Sequence, residues 1–182
     1  MKVVVLHGSH RVGGNSDALA ERVLAGLGGV ADLDVVHFRP IDMKIAHCRG
    51  CGRCRTGGGC VIDDDMRTVY PAFCDADVVI LAAPMFWGYM TSQLKTLFDR
   101  LEAIVSPRCF GGKQFVLLVT YRHYYGSMVE WMERISTGFG SRCRAIVCRT
   151  YDPASERDIE IEELPEMLQA AHDLGATLAL GS

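Results

Sequence analysis

The chain begins with the apolar run Val3-Val4-Val5-Leu6, followed by the loop Gly8-Ser9-His10-Arg11-Val12-Gly13-Gly14-Asn15-Ser16, and the fold class follows from this pair. The apolar, β-branched run predicts a buried strand, and the amphipathic segment 17–27 predicts a helix. Such a strand–loop–helix unit forms an anion site, because backbone N–H groups and the positive end of the helix dipole converge there. The loop is not a Walker A sequence, because no Gly-Lys-Ser/Thr closes it, and Gly8, Gly13 and Gly14 do not fit the G-x-G-x-x-G motif. The predicted ligand is therefore a terminal monophosphate.

Four polar side chains of this first loop are candidates to bind the phosphate: Ser9, Arg11, Asn15 and Ser16. Arg11 would supply a charge-assisted donor suited to a phosphate group. The alternative interpretation is a capped turn, in which Asn15 or Ser16 caps the helix and Arg11 lies in solvent.

Strand and helix patterns alternate along the rest of the chain. Strands are predicted near residues 2–6, 33–38, 77–83, 113–120 and 144–150, and helices near 16–27, 64–74, 92–104, 127–138 and 164–180. This alternation predicts an α/β fold with a doubly wound, five-stranded parallel sheet and helices on both faces. The order 2-1-3-4-5 is one common solution, although the sequence alone does not order the strands. The 182 residues suit a single domain, 1–182, with a cysteine-rich insert at about 41–63.

Two further loops are predicted at the same edge, because ligands of such sheets bind outside the carboxyl ends of the strands. The second loop is Pro84-Met85-Phe86-Trp87-Gly88, whose side chains offer an apolar wall and whose N–H groups could bind a planar heterocycle. The alternative places Phe86 and Trp87 in the core. The third loop, 120–126, offers Thr120, Tyr121 and Gly126 to a ligand and is equally compatible with a subunit interface.

Four of the eight cysteines crowd into the insert, at Cys48, Cys51, Cys54 and Cys60. Clustered thiols in a protein of a reducing compartment indicate metal or redox chemistry rather than disulfides. Thiols on a glycine-rich loop can hold a tetrahedral metal or an iron–sulfur cluster. The alternatives are zinc, a redox dithiol and four free thiols.

The remaining cysteines are scattered and are interpreted as small buried apolar residues: Cys74, Cys109, Cys143 and Cys148.

Other charged positions are interpreted as scaffold. Lys95, Asp99 and Arg100 are spaced for ion pairing along one helix. The run Asp63-Asp64-Asp65 would begin a helix through capping and dipole pairing. The acidic stretch 158–163 is predicted to be a solvated face, and His7 to be a packed histidine.

The charge balance and the start of the chain exclude some classes of function. A formal net charge of -3, with no basic cluster interleaved with aromatic residues, argues against a nucleic-acid partner. Met1-Lys2-Val3 leads straight into the first strand, without a long apolar segment. Neither secretion nor a membrane span is therefore expected, and the cytoplasm is the predicted location.

Three segments together resemble the NADPH-dependent FMN reductase family of flavodoxin-like proteins: the first loop, the Pro84 to Gly88 loop and the helix from Ser92 through Lys95 to Asp99-Arg100. The resemblance covers about residues 1–100. The cysteine segment ending in Cys60-Val61-Ile62-Asp63-Asp64-Asp65-Met66 is similar to the branch that includes the iron–sulfur flavoproteins. Two departures are Phe86, where relatives commonly carry Tyr, and a third loop with fewer glycines.

The resemblance implies an enzyme that binds FMN, with the phosphate at the first loop and the isoalloxazine against residues 84–88. NAD(P)H would be the electron donor, a quinone, a flavin or a similar small molecule the acceptor, and the assembly a homodimer or homotetramer. The alternative is an electron-transfer protein in which the clustered cysteines hold a [4Fe–4S] cluster and a redox protein is the partner. A third hypothesis is a redox- or metal-sensing switch, in which the chemistry of thiols such as Cys51 reshapes the loop beside the flavin.

Overall fold

The protein is built on a parallel sheet of five strands. The structure is a computed structural model that describes residues 1–180. The strand order is β2-β1-β3-β4-β5, and every pairing in this sheet is parallel. The predicted order 2-1-3-4-5 is confirmed. Residues 181 and 182, the end of the predicted domain, lie outside the described range. The strands are β1 (Lys2–His7), β2 (Asp34–Phe38), β3 (Val78–Pro84), β4 (Gln114–Tyr121) and β5 (Arg142–Arg149).

Helices cover both faces of the sheet, as predicted. They are α1 (Asn15–Gly26), α2 (Met66–Asp75), α3 (Ser92–Arg100), α4 (Pro107–Phe110), α5 (Met128–Gly138) and α6 (Pro165–Ala179). Alternate residues of β1 face opposite layers: Val3 and Val5 pack with α1 and α6, whereas Val4 and Leu6 pack with α2, α3 and α5. Burial on both faces explains why the central strands are continuous apolar runs.

The structure contains short elements that the sequence patterns did not indicate. The helix α4 follows a 3-10 turn at Leu101–Ile104, where the predicted helix 92–104 stops being α-helical. A two-stranded antiparallel hairpin, β6 (Tyr151–Asp152) and β7 (Arg157–Asp158), lies between β5 and α6. Strands of two residues carry too little periodicity to be recognised in a sequence.

The cysteine-rich insert is an irregular loop, as its glycines predicted. Its regular pieces within the described chain are two 3-10 turns, one at Pro40–Asp42, where the insert begins, and one at Arg53–Thr56. The two ends of the insert are joined at its base, where the N–H of Lys44 donates to Asp65 Oδ2 (2.6 Å) and that of Ala46 to Asp64 Oδ2 (3.0 Å). The insert is therefore anchored at its base and exposed beyond it.

Two of the scattered cysteines form a disulfide, so the interpretation of Cys74 and Cys109 as free apolar residues is wrong. Their sulfurs are 2.01 Å apart, and the residues are 35 positions apart in the chain. The last turn of α2 packs beside α4, where Phe73 and Phe110 contact each other, and this packing brings the thiols together. Cys143 and Cys148 are free, and burial raises the pKa of each thiol to about 11.

Reduction of this disulfide should lower the stability of the fold. Opening the loop between Cys74 and Cys109 restores chain entropy to the unfolded state and is expected to cost about 2–4 kcal/mol. The measurement is urea unfolding with and without dithiothreitol. The Cys74→Ser/Cys109→Ser double variant is the control and should not respond to the reductant. An equal stability of the wild type under both conditions would contradict the pairing.

None of the helices in the described part of the chain is long and apolar enough to cross a membrane.

Candidate functional site

A cleft of about 950 Å³ lies at the carboxyl edge of the sheet, where β1 and β3 lead to opposite faces. The three predicted loops meet in it. Of the predicted site residues, it is lined by Ser9, Arg11, Asn15, Ser16, Pro84, Met85, Phe86, Trp87, Gly88, Thr120 and Tyr121. A second group of lining residues was not among the predicted site residues: His10, Gly14, Arg122, His123, Tyr124, Thr150, Asp158 and Glu160.

The first loop presents an open helix terminus to this cleft. Helix α1 begins at Asn15, and Gly14 occupies the capping position, so no side chain caps the helix. The predicted capping by Asn15 or Ser16 is therefore not observed. Helix N-termini without a cap retain N–H groups that an anion can bind. Arg11 is exposed at the cleft, and the hydroxyl of Ser9 accepts the Arg11 N–H at 3.0 Å, which holds the turn.

Asn15 has a third role that neither interpretation anticipated. Its amide Nδ2 donates to the carbonyl of Ile159 and its Oδ1 accepts the N–H of Ile161, each at 3.0 Å. The side chain thus fixes the segment before α6 across the start of α1. Both ends of the amide are therefore engaged within the protein, at a position that lines the cleft.

A buried ionic cluster around Asp17 contacts the first loop on the side away from the cleft. The carboxylate of Asp17 accepts from His7 Nδ1 (2.8 Å), Arg39 Nη2 (2.7 Å) and the N–H of Gly13 (2.9 Å). Burial alone would raise the pKa of Asp17, but these hydrogen bonds outweigh it and hold the pKa below its ordinary value. His7 is a packed histidine, as predicted, and its Nε2 lies 3.0 Å from Nδ1 of His37.

The second loop is a tight turn whose aromatic rings face solvent. Phe86 and Tyr89 exchange two backbone hydrogen bonds, of 2.9 and 3.1 Å, around Trp87 and Gly88. Trp87 has a φ of 53°, a conformation that is uncommon for a bulky residue. Its ring is fully exposed, and that of Phe86 is half exposed. Neither ring belongs to the core, and strained, exposed aromatic residues concentrate at binding sites.

The second and third loops touch through two glycines. A Cβ on Gly126 would lie 1.7 Å from the carbonyl oxygen of Gly88, and one on Gly88 would lie 2.6 Å from the ring of Tyr124. The structure thus places Gly126 behind the second loop and not on the cleft wall. Its lack of a side chain permits the close approach of the two loops.

The unpredicted hairpin forms a further wall with the third loop. The Nε of Arg122 lies 2.8 Å from Asp158 Oδ1, and its guanidinium lies 4.7 Å from the centre of the Tyr151 ring. Asp158 and Glu160 line the cleft. Both are exposed, as are Glu162 and Glu163, so the acidic side chains of 158–163 form a solvated face as predicted, and part of that face borders the cleft. The hairpin brings Asp158, at the start of the acidic stretch, to the cleft at the carboxyl edge of the sheet.

The four thiols of the insert are free, with Cys48 and Cys51 exposed and Cys54 and Cys60 half-buried. Within residues 1–180, no three His, Cys, Asp or Glu side chains are gathered as a metal-ligand set. The thiol of Cys60 is fixed by a hydrogen bond, since Arg100 Nη2 donates to its sulfur at 3.4 Å. Burial would raise the pKa of this thiol, but the Ile62 N–H, Tyr70 and Arg100 together lower it.

Arg100 is a buried cation at the base of the insert, with 1% of its surface exposed. Its guanidinium forms a two-pronged pair with Asp64, at 2.6 and 3.1 Å, and donates to the carbonyl of Ala46 at 2.7 Å. The expected helical ion pair is formed by Lys95 and Asp99, whereas Arg100 turns inward. The interpretation of Asp64 as only a helix-start residue is incomplete, since its carboxylate also closes the insert.

Loss of Arg100 should destabilise the protein far more than loss of Lys95. Arg100→Met leaves the Asp64 carboxylate buried without its cation, which costs about 3–5 kcal/mol. Lys95→Met removes an exposed pair and should cost less than about 1 kcal/mol. Urea unfolding of the two variants gives the comparison. Equal losses would show that the buried pair does not hold the insert to the fold.

The sheet order, with a cleft at the carboxyl edge of the sheet, defines a protein of the flavodoxin-like fold. Residues 1–135 match the model of the NADPH-dependent FMN reductase family, and the chain belongs to that family. It is 38% identical over 105 residues to an iron-sulfur flavoprotein of Methanosarcina thermophila, covering 55% of this chain and 52% of that protein. A second iron-sulfur flavoprotein, from Archaeoglobus fulgidus, is 36% identical over 122 residues, covering 66% of this chain and 54% of that protein. The chain therefore spans about half the length of these relatives.

Solved structures share the fold over nearly the whole chain. The NAD(P)H:quinone oxidoreductase from Methanothermobacter marburgensis superposes with a TM-score of 0.73 at 16% identity, covering 98% of each chain. An FMN-dependent NADH-azoreductase from Bacillus anthracis, solved in complex with FMN, gives 0.71 at 11% identity, covering 98% of this chain and 100% of that one. At such low identity, the likeness establishes the fold alone.

Proposed function

We propose that this protein is an FMN-dependent oxidoreductase that passes electrons from NAD(P)H to a quinone, a flavin or a similar small acceptor. The observation that carries the proposal is the single cleft in which an uncapped helix terminus meets an exposed aromatic turn. Family membership supports FMN as the cofactor. The chemistry that bound FMN supplies is the acceptance of a hydride and the release of electrons.

The residues of the cleft fit the two ends of FMN. Its volume is within the range of cofactor pockets. Arg11, Ser9, Ser16 and the first N–H groups of α1 would hold the phosphate. The apolar wall at 84–88, with Thr120 and Tyr121, would hold the isoalloxazine through ring contacts and backbone hydrogen bonds. Gly126 would act indirectly, by allowing the third loop to approach the second.

The exposed rings suit a second molecule at the cleft. Trp87 and Tyr124 project beside the place proposed for the isoalloxazine, and both are largely exposed. Such rings can stack on a nicotinamide or a quinone, or be covered by a second copy of the chain in a homodimer or homotetramer. The role of the protein is then to bind and orient the reactants.

FMN binding through the first loop is tested by Arg11→Ala. Removal of one charge-assisted hydrogen bond to the phosphate should weaken FMN binding about 10-fold or more, since such bonds contribute about 1.5–3 kcal/mol. Riboflavin, which lacks the phosphate, should bind both proteins equally. Quenching of flavin fluorescence on titration of the flavin-free protein measures both affinities. Failure of the wild type to bind FMN would overturn the proposed function.

A second candidate function is electron transfer to a redox protein through a [4Fe–4S] cluster. It is favoured by four free thiols on one anchored loop, with Cys60 held by Arg100. Thiolates are the ligands that such clusters require, so the donor set fits in type and number. The proposed ligands are Cys48, Cys51, Cys54 and Cys60, and iron-sulfur flavoproteins are among the relatives.

The cluster hypothesis predicts which cysteine is needed to retain iron. After anaerobic reconstitution, the wild type should hold iron and acid-labile sulfide in equal amounts, and Cys54→Ser should lose most of both. Cys148→Ser removes a buried thiol outside the insert and is the matched control, which should retain them. Equal iron in Cys54→Ser and the wild type would exclude the proposed ligand set, whereas zinc without sulfide would indicate a zinc site.

A further inference from the structure

The buried carboxylate of Asp17 lies beneath the first loop, close to the helix terminus where the FMN phosphate is proposed to bind. Asp17 lies in the first turn of α1, and 4% of its side chain is exposed. A carboxylate there interacts favourably with the helix dipole. It also repels a phosphate bound at the same helix terminus, because like charges interact strongly where water is excluded. The site therefore requires a compensating cation that stays out of the cleft.

Arg39 is placed to be that cation. It directly follows β2, the edge strand beside β1, and its side chain is mostly buried. Its Nη2 pairs with Asp17 Oδ2 at 2.7 Å. Arg39 does not line the cleft, so it neutralises the carboxylate without itself contacting a ligand there. The other oxygen of Asp17, Oδ1, lies 2.8 Å from Nδ1 of His7.

The same guanidinium also holds the backbone of the loop. Its Nη1 donates to the carbonyls of Ser9 (3.0 Å) and Arg11 (3.4 Å). These oxygens are acceptors that would repel an anion, and Arg39 engages both. Asp17 meanwhile fixes the loop through the Gly13 N–H, at 2.9 Å. One buried ion pair thus sets both the charge and the conformation of the turn.

We propose that Arg39 is a positioning residue for the phosphate of the cofactor, which makes the first loop an anion site by neutralising Asp17 and engaging the Ser9 and Arg11 carbonyls. This role rests on the proposed binding of FMN. If Arg39 only stabilised the loop, its removal would weaken FMN and riboflavin binding equally, whereas the proposed role predicts a loss that depends on the phosphate. Removal of Arg39 should weaken the binding of phosphate-bearing ligands in particular, and removal of Asp17 as well should restore part of the loss.

The experiment compares five full-length proteins freed of flavin: the wild type, Arg39→Gln, Asp17→Asn, Asp17→Asn/Arg39→Gln and Arg22→Gln. Arg22 is an exposed cation of α1, so Arg22→Gln is the matched control for a lost positive charge. Each protein is titrated with FMN and with riboflavin, and flavin fluorescence reports the dissociation constants. Circular dichroism confirms that each variant is folded.

Arg39→Gln should bind FMN about 30-fold or more weakly than the wild type, because the buried Asp17 charge is left unpaired. Its affinity for riboflavin should change less than about threefold. The double variant should recover at least about 5-fold of the lost FMN affinity, and Arg22→Gln should stay within about threefold of the wild type.

Two results would overturn the role of Arg39 while leaving the proposed function intact. One is an equal loss of FMN and riboflavin affinity in Arg39→Gln, and the other is a double variant that binds FMN as weakly as Arg39→Gln. If Arg39→Gln does not fold, Asp17→Asn decides the question, since it should bind FMN at least as tightly as the wild type. A wild type that binds neither flavin would instead overturn the proposed function itself.

Discussion

The carboxylate of Asp17 is the group on which the geometry of the cleft floor depends. It joins the first turn of α1 to the loop through Gly13, to β1 through His7, and to the edge of the sheet through Arg39. A buried charge of this kind is tolerated only when its partners are in place. The uncapped terminus of α1 is therefore presented to the cleft by a buried ionic network centred on Asp17.

A second buried pair, Arg100 with Asp64, has the corresponding role at the cysteine insert. Both pairs lie where a glycine-containing loop leaves the sheet and its helices. In both, the guanidinium binds one carboxylate and at least one loop carbonyl, so a single side chain fixes several backbone groups. An arginine suits this arrangement better than a lysine, because the planar guanidinium offers several donors in fixed directions to a carboxylate and to carbonyls at once. The sheet thus carries two separately anchored loops, one at the proposed flavin site and one bearing the thiols.

Most of the architecture could be predicted because hydrophobic periodicity reports burial directly. The apolar run at Val3 to Leu6 and its counterparts identified the five strands of the sheet, and the turn residues between them identified the three loops that meet in the cleft. Pairs between distant residues could not be predicted in this way. Arg39 is 22 positions from Asp17, and Arg100 is 36 from Asp64, and nothing in the local pattern relates them. The Cys74–Cys109 disulfide was missed for the same reason.

The sequence also did not resolve the roles of residues whose side chains suit several local structures. Asn15 can cap a helix, bind a phosphate or bridge two segments, and its hydrogen bonds to residues 159 and 161 are formed only once α6 has packed beside α1. The contact of Gly126 with a ligand stays a prediction, and its lack of a side chain has a further use in loop packing that the sequence pattern did not indicate. The acidic segment at Asp158 turns toward the cleft because of a hairpin too short to carry a pattern.

The most direct test of the cleft as a flavin mononucleotide site is a backbone amide NMR spectrum of the labelled protein, recorded with FMN and with riboflavin. The phosphate-dependent shifts should fall on the amides of Gly14, Asn15 and Ser16, whereas the Trp87 indole should shift with both ligands. Phosphate-dependent shifts confined to residues outside the first loop, or an unchanged Trp87 indole with both flavins, would contradict the account.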